Sequence, residues 1–270
     1  MANEFRTLNS HSAEYFGDTR NYWWNLDFLE LMGKRLSLHR VQDVLDVGSG
    51  VGHWGQLLAN VIPSSARVQG VDRDPLWVEK AAARVAAHGL AERFTYQVAV
   101  AEKLPFADAS FDLVTCQTVL IHTPDPGPVV DEMVRVARPG GLILVAEPNN
   151  VARALMLDSV SFNDPVDEIL ARVRLQLICE RGKAALGEGN NSIGDLVPRP
   201  SPNGSLSTSA SISTTRRISS CRPTTAQHNA PRSKNAPTSN IATSGFGAAR
   251  IRVDISLLAV VVRANSKRYG

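Results

Sequence analysis

Between residues 41 and 147, five short apolar or β-branched runs alternate with segments of helical length, and this alternation restricts the chain to few folds. The runs are VQDVLDVG (41–48), ARVQGVD (66–72), RFTYQVAV (93–100), FDLVTCQ (111–117) and GLILVAE (141–147). Each has the length and composition of a strand buried on both faces. Between them, GHWGQLLANVI, DPLWVEKAAARVAAHG and GPVVDEMVRVARPGG carry helical spacing, with Gly89 placed to end the second helix. Strands and helices in this order make βαβ units, so the expectation is an α/β, doubly wound and mostly parallel sheet covered on both faces. Ligands of such sheets sit beyond the carboxyl ends of the strands, where strand order reverses.

The turn after the first strand lies at such an end. It reads VLDVGSGVGHWG from Val44 to Gly55. Gly50, Gly52 and Gly55 fit G-x-G-x-x-G, in which a helix N-terminus receives a pyrophosphate. Asp46, Gly48, Gly50 and Gly52 fit a second spelling, D-x-G-x-G-x-G, in which the backbone approaches an adenosine-linked amino acid. The acid separates the two, because a carboxylate two residues before the first glycine repels a pyrophosphate and suits a ligand carrying an ammonium beside a sulfonium. Asp72 ends the second strand about 20 residues on, where either ligand would offer ribose hydroxyls, and does not discriminate.

Later segments do discriminate. AEKLPFADASFDLV (101–114), TVLIHTPDP (118–126) and EMVRVARPGGLILVAEP (132–148) closely resemble the small-molecule class I methyltransferases that use S-adenosylmethionine, including the quinone-biosynthesis type. The resemblance covers residues 40–150, with every motif in order. It implies a Rossmann-like sheet and S-adenosyl-L-methionine as cofactor. Carried over by position, it implies that Asp46, Gly48, Ser49, Gly50 and Gly52 hold the methionine part and that Asp72 binds the ribose. Arg73 would pack beside the adenine, Ala101 and Glu102 would reach its edge, and Gln117 would face the cofactor near the sulfur. One position departs from the family pattern, which often has an acid where this chain has Val100, so the adenine amino group needs another acceptor such as Glu102 or a backbone carbonyl.

A sulfonium methyl is already activated, so holding an acceptor in line and excluding water is the main task, worth about 7–11 kcal/mol. No nucleophile is required, and a base helps only if the acceptor must lose a proton. His122, just past the fourth strand, is the candidate catalytic base; its alternative is to orient a loop. Glu147 and Asn149 after the fifth strand either touch substrate or close a loop. Trp54 reads as core, and no metal-ligating cluster is spelled.

Outside this core the sequence divides the chain further. Residues 1–40 read as N-terminal cap helices, with Tyr22, Trp23, Trp24, Phe28, Leu29 and Met32 as an aromatic and apolar face and Arg20 as a partner for the cofactor carboxylate. Residues 41–150 form the cofactor-binding core, and 151–198 the substrate or lid region. There DPVDEILARVRLQLICERGKAALG (164–187) has helical spacing, with Val166, Ile169, Leu170, Val173, Leu177 and Ile178 on one side. From 199 to 244 the chain is rich in Ser, Thr, Pro, Asn and Arg and holds no acid, so it lacks the apolar content to offset ordering. That segment reads as disordered, or as translated out of frame. The runs at 245–253 and 256–264 are candidates for the last, antiparallel strands, within a C-terminal segment of 245–270.

A formal net charge of +3, three scattered cysteines and no apolar run of about 18 residues point to a cytoplasmic protein without a disulfide framework or membrane span. The expected partner is a small-molecule methyl acceptor. A nucleic-acid modifier is suggested only by the basic tail, Arg216, Arg217, Arg222, Arg232 and Lys234, which has no interleaved aromatics. An NAD-dependent oxidoreductase has no use for the later motifs. The alternative within the same fold is a cofactor-binding protein that has lost catalysis.

Overall fold

The structure, a computed structural model, describes residues 24–155, 157 and 161–195, together with the backbone of two strands at 206–217 and 254–264. Seven strands make one sheet: β1 (Asp43–Val47), β2 (Arg67–Asp72), β3 (Phe94–Val98), β4 (Phe111–Gln117), β5 (Ala137–Pro148), β6 (Leu206–Arg217) and β7 (Asp254–Ala264). Their order is β3-β2-β1-β4-β5-β7-β6. The first five are parallel, with Val47 opposite Val71 on one side and Cys116 on the other. β7 runs antiparallel to both β5 and β6. The chain winds outward from β1 to β3 and then from β4 to β5, so strand order reverses between β1 and β4.

Among the described residues six α-helices accompany the strands: α1 (Leu26–Leu36), α2 (His53–Leu58), α3 (Pro75–Ala87), α4 (Gly127–Val136), α5 (Asn150–Leu155) and α6 (Val166–Ala185). Alternate residues of each central strand serve opposite faces, which produces two cores. Val44, Val68, Leu113 and Leu144 pack with Leu29 and Met32 of α1, Trp54 and Leu58 of α2 and Val85 of α3. Leu45, Val47, Val114, Cys116 and Val145 pack on the other face with Val129, Val130 and Met133 of α4. Each such buried aliphatic side chain contributes about 1.5–3 kcal/mol of transfer free energy. Trp54 is core, as its spacing predicts; its ring lies 4.7 Å from that of Trp24, and its Nε1 donates to Thr115 Oγ1 at 2.8 Å. At the amino ends of the strands, Arg138 bridges Asp43 and Asp112 at 2.9 and 2.7 Å, tying β1, β4 and β5 together.

α3 is capped by Asp74, whose side chain accepts from Leu76 N, and ends where Gly89 takes a left-handed φ of 67°. No helix among the described residues is long and apolar enough to cross a membrane.

One reading of the sequence needs correction. Residues 206–217, inside the 199–244 stretch to which the sequence assigns no regular structure, form β6. Strand pairing is a backbone property, and the alternating Leu206, Thr208, Ala210, Ile212 and Thr214 is too polar to register as a buried strand; an edge strand does not need more. β7 realises the strand expected at 256–264, whereas 245–253 lies outside the described residues. The 164–187 segment, read as helical in spacing, contains α6. Val166, Leu170 and Ile178 are exposed, and the one buried residue of this helix is Glu180. Arg20, Tyr22 and Trp23 also lie outside the described residues; α1 packs on the sheet as a cap helix should.

Candidate active site

The loop leaving β1 runs across the switch point as a series of left-handed glycines, with φ of 66° at Gly48, 51° at Gly50 and 78° at Gly52. Only glycine adopts these values without strain. Space is limiting as well. A Cβ on Gly48 would collide with the side chain of Val119, and one on Gly52 with the hydroxyl of Tyr96. The loop therefore presents bare backbone to whatever lies above it.

Asp46, buried at 1% exposure, sits beneath the start of α2, and its Oδ2 accepts from Gly55 N at 3.1 Å. Asp72 ends β2 and holds the loop directly: Oδ2 accepts from Gly50 N at 2.8 Å and Oδ1 from Asp74 N at 3.0 Å. Ser49 N donates to Val71 O at 2.9 Å, while its Oγ is buried with no hydrogen-bond partner among the described residues. Tyr96 stands over the same loop. Burial, helped by the charge of Asp46, pushes its phenol well above the ordinary range, so it stays protonated at neutral pH.

The loop after β3 continues this rim, since Ala99 N donates to Asp72 O at 2.9 Å. Ala101 is half-buried, Glu102 is exposed, and Val100 is 49% exposed, with its carbonyl accepting from Lys103 N at 3.2 Å. Arg73 is exposed beside Asp72. The next residues are fixed by α4: Glu132 Oε2 accepts from Leu104 N at 2.7 Å, and Arg135 donates to the carbonyls of Leu104 and Phe106 and to Asp108. Glu132 and Arg135 also pair with each other at 2.6 Å. These contacts give the spacing of the LPFADASFD and EMVRVARPGG segments a physical purpose within this chain: one guanidinium and one carboxylate shape the loop that borders the site.

Opposite the glycine loop, β4 ends at Gln117, which is 7% exposed. Thr118 then takes φ 55°, a left-handed value that costs a non-glycine residue about 1–2 kcal/mol. The strain turns the chain into the Leu120–His122 3₁₀ turn and lays Val119 over Gly48. Glu147, fully buried at the end of β5, secures that turn: Oε1 accepts from Val119 N and Leu120 N at 2.8 and 2.9 Å, and Oε2 from Ile121 N at 3.4 Å. Of its two sequence-level alternatives, Glu147 closes a loop. Burial raises its pKa to about 7 against the lowering effect of these three donors.

His122 is exposed at the end of the turn, with Nδ1 3.4 Å from Lys183 Nζ. An ammonium can only donate, so in this contact Nδ1 serves as the acceptor. Lys183 of α6 also donates to Ile121 O at 2.8 Å and Asn191 Oδ1 at 2.6 Å, and burial lowers its pKa. Sequence reasoning missed Lys183, since nothing in a polar position of a long helix signals contact with a turn 62 residues earlier.

The glycine loop, Asp46, Ser49, Asp72, Ala101, Glu102 and Gln117 are thus gathered around one switch point, whereas His122 lies exposed at the end of the turn against Lys183 of α6. The arrangement fits S-adenosylmethionine: the missing Cβ atoms leave a backbone cradle, Ser49 Oγ is an unsatisfied buried polar atom within it, and carboxylates stand at its base and beside it.

Comparison with known proteins agrees. Residues 45–145 match the family described as "Methyltransferase domain". Among curated relatives, methyltransferase GfsG of Streptomyces halstedii is 39% identical over 118 residues, 44% of this chain and 42% of that protein. The ubiquinone/menaquinone biosynthesis C-methyltransferase UbiE of Geotalea daltonii is 38% identical over 104 residues, 38% of this chain and 44% of that protein. The chain spans less than half the length of either relative. A solved structure from Bacillus halodurans, described as a candidate methyltransferase, superposes with a TM-score of 0.53 at 15% identity, covering 90% of this chain and 99% of that one, and so shares the fold. Sheet order, glycine cradle and the match over residues 45–145 together make that segment similar to a methyltransferase domain on a Rossmann-like sheet.

Proposed function

We propose that the protein transfers a methyl group from S-adenosylmethionine to a small-molecule acceptor. The observation that carries this reading is the cradle at the β1–β4 switch point, where Gly48 to Gly52 expose backbone between two buried carboxylates. In this reading Asp46 balances the cofactor's ammonium, with Ser49 and the amides of Gly48, Gly50 and Gly52 around the methionine part. Asp72 accepts from the ribose hydroxyls with the lone pairs that Gly50 N and Asp74 N leave over. Arg73 lies along the adenine, and Ala101 and Glu102 reach its edge in place of the acid absent at Val100. Gln117 faces the reacting centre from β4.

The sulfonium supplies an activated methyl group, so the chain's residues need only bind, orient and exclude water. His122, just past β4 and beside Lys183, is the candidate base if the acceptor must lose a proton. The acceptor would be selected by residues 151–198, and the Geotalea relative makes quinone precursors the first candidates to try. Turnover is tested by incubating the protein with S-adenosylmethionine and a panel of such precursors and measuring S-adenosylhomocysteine. Acceptor-dependent product supports the proposal. Tight cofactor binding with no turnover on any acceptor favours the second reading, a binding protein that has lost catalysis, which the exposed Val100 in the adenine-side loop suggests.

A further inference from the structure

Glu147 governs the segment that packs on the glycine loop. Its carboxylate gathers three consecutive backbone N–H groups, of Val119, Leu120 and Ile121, and the first of these residues is the one packed on Gly48. The preceding residue, Thr118, is held in a left-handed conformation. A strained turn of this kind persists only where surrounding contacts over-determine it, and a buried carboxylate with three donors is such a contact.

We propose that Glu147 is a positioning residue for the cofactor cradle: by holding the Val119–Ile121 backbone it fixes Val119 against Gly48 and so sets the shape of the loop that receives the methionine part. The cofactor assignment comes from the methyltransferase reading; the turn-holding role stands without it.

The same geometry makes the turn sensitive to protonation. An ionised carboxylate accepts from all three amides, whereas a protonated one turns an acceptor oxygen into a donor facing N–H groups, and at least one hydrogen bond is lost. The pKa of about 7 puts this change near neutrality. Other titratable groups meet the same region. From β4 the Cys116 thiol lies 3.8 Å from Oε1, and burial, with the charges of Glu147 and Asp46, raises its pKa well above the ordinary value, so it remains a neutral donor. From α6 Lys183 binds the carbonyl of Ile121; burial lowers its pKa, and its ammonium favours the ionised form of Glu147. His122 lies at the end of the turn against Lys183. On the remaining sides, β7 pairs with the Glu147 backbone at Leu258, and Gly194 lies against its carbonyl.

Two measurements on the full chain test the proposal. Amide hydrogen exchange of Val119, Leu120 and Ile121, corrected for intrinsic rates, is expected to show about tenfold lower protection at pH 6 than at pH 8 in the wild type, the weight of one charge-assisted hydrogen bond. In Glu147→Gln the protection is low at both values. S-adenosylmethionine affinity, by calorimetry, follows the same pattern: several-fold weaker at pH 6 in the wild type and insensitive to pH in Glu147→Gln. Wild-type protection that does not change with pH overturns the proposal, and this arm needs no folded variant. Protection that changes while affinity in wild type and variant responds identically to pH overturns the link to the cradle. Failure of the wild type to bind the cofactor at either pH removes the methyltransferase reading, while the exchange data still report on the turn.

Discussion

Gly48 shows how much of the site rests on single residues. It combines a left-handed φ of 66° with a neighbour, Val119, that leaves no room for a Cβ. Alanine there meets both costs, about 1–2 kcal/mol for the backbone and more for the collision. Gly48→Ala is therefore expected to weaken S-adenosylmethionine binding at least tenfold, since 1.4 kcal/mol corresponds to about a factor of ten. Adding Val119→Ala removes the collision and leaves the backbone cost, so the double variant recovers part of the loss. Calorimetric titration of the two variants checks this, and affinity in Gly48→Ala equal to the wild type contradicts it. Which glycines mattered was legible, because the D-x-G-x-G-x-G spelling is local. Why Gly48 must be glycine was not, because Val119 lies 71 residues further along the chain and meets it only across the switch point.

Among the elements, the loop between β3 and β4 depends on α4 for its shape. Glu132 and Arg135, one helical turn apart on α4, hold the backbone of Leu104 and Phe106 and the side chain of Asp108. The hydrogen bond from Arg135 holds the Glu132 carboxyl below its usual value of 4.5, against burial, which acts the other way; Leu104 N assists. A carboxylate whose pKa is depressed on folding stabilises the protein above its unfolded pKa, and the contribution disappears as pH falls through the folded one. Glu132→Gln should cost about 1–3 kcal/mol at pH 7, and the difference from the wild type should shrink below pH 4. Urea unfolding at both pH values measures it; a difference that stays constant refutes the assignment. Elements with local signals, the five parallel strands and the helices between them, follow their sequence patterns closely. β6 did not, since a Ser- and Thr-rich run states no apolar face. α6 was legible as a helix but not in orientation: its sequence stripe of Val166, Leu170 and Ile178 is exposed, and Glu180 and Lys183 face the molecule instead.

For the molecule as a whole, the division of labour follows the sheet. In the proposed reading the cofactor lies at the carboxyl ends of β1 to β4, within the 45–145 segment that matches the family, and α6, docked by Lys183 on the turn after β4, belongs to the region proposed to select the acceptor. The central claim is that the cradle takes S-adenosylmethionine and not a dinucleotide. Its most direct test is calorimetric titration of the full chain with S-adenosylmethionine and, separately, with NAD, repeated on Asp46→Asn and Asp72→Asn. Asparagine keeps the shape of each side chain and an acceptor oxygen while removing the charge. The account predicts binding of S-adenosylmethionine alone, at least tenfold weaker in each variant, as expected for losing one charge-assisted contact. Binding of NAD in its place, or a folded chain that binds neither, would contradict it.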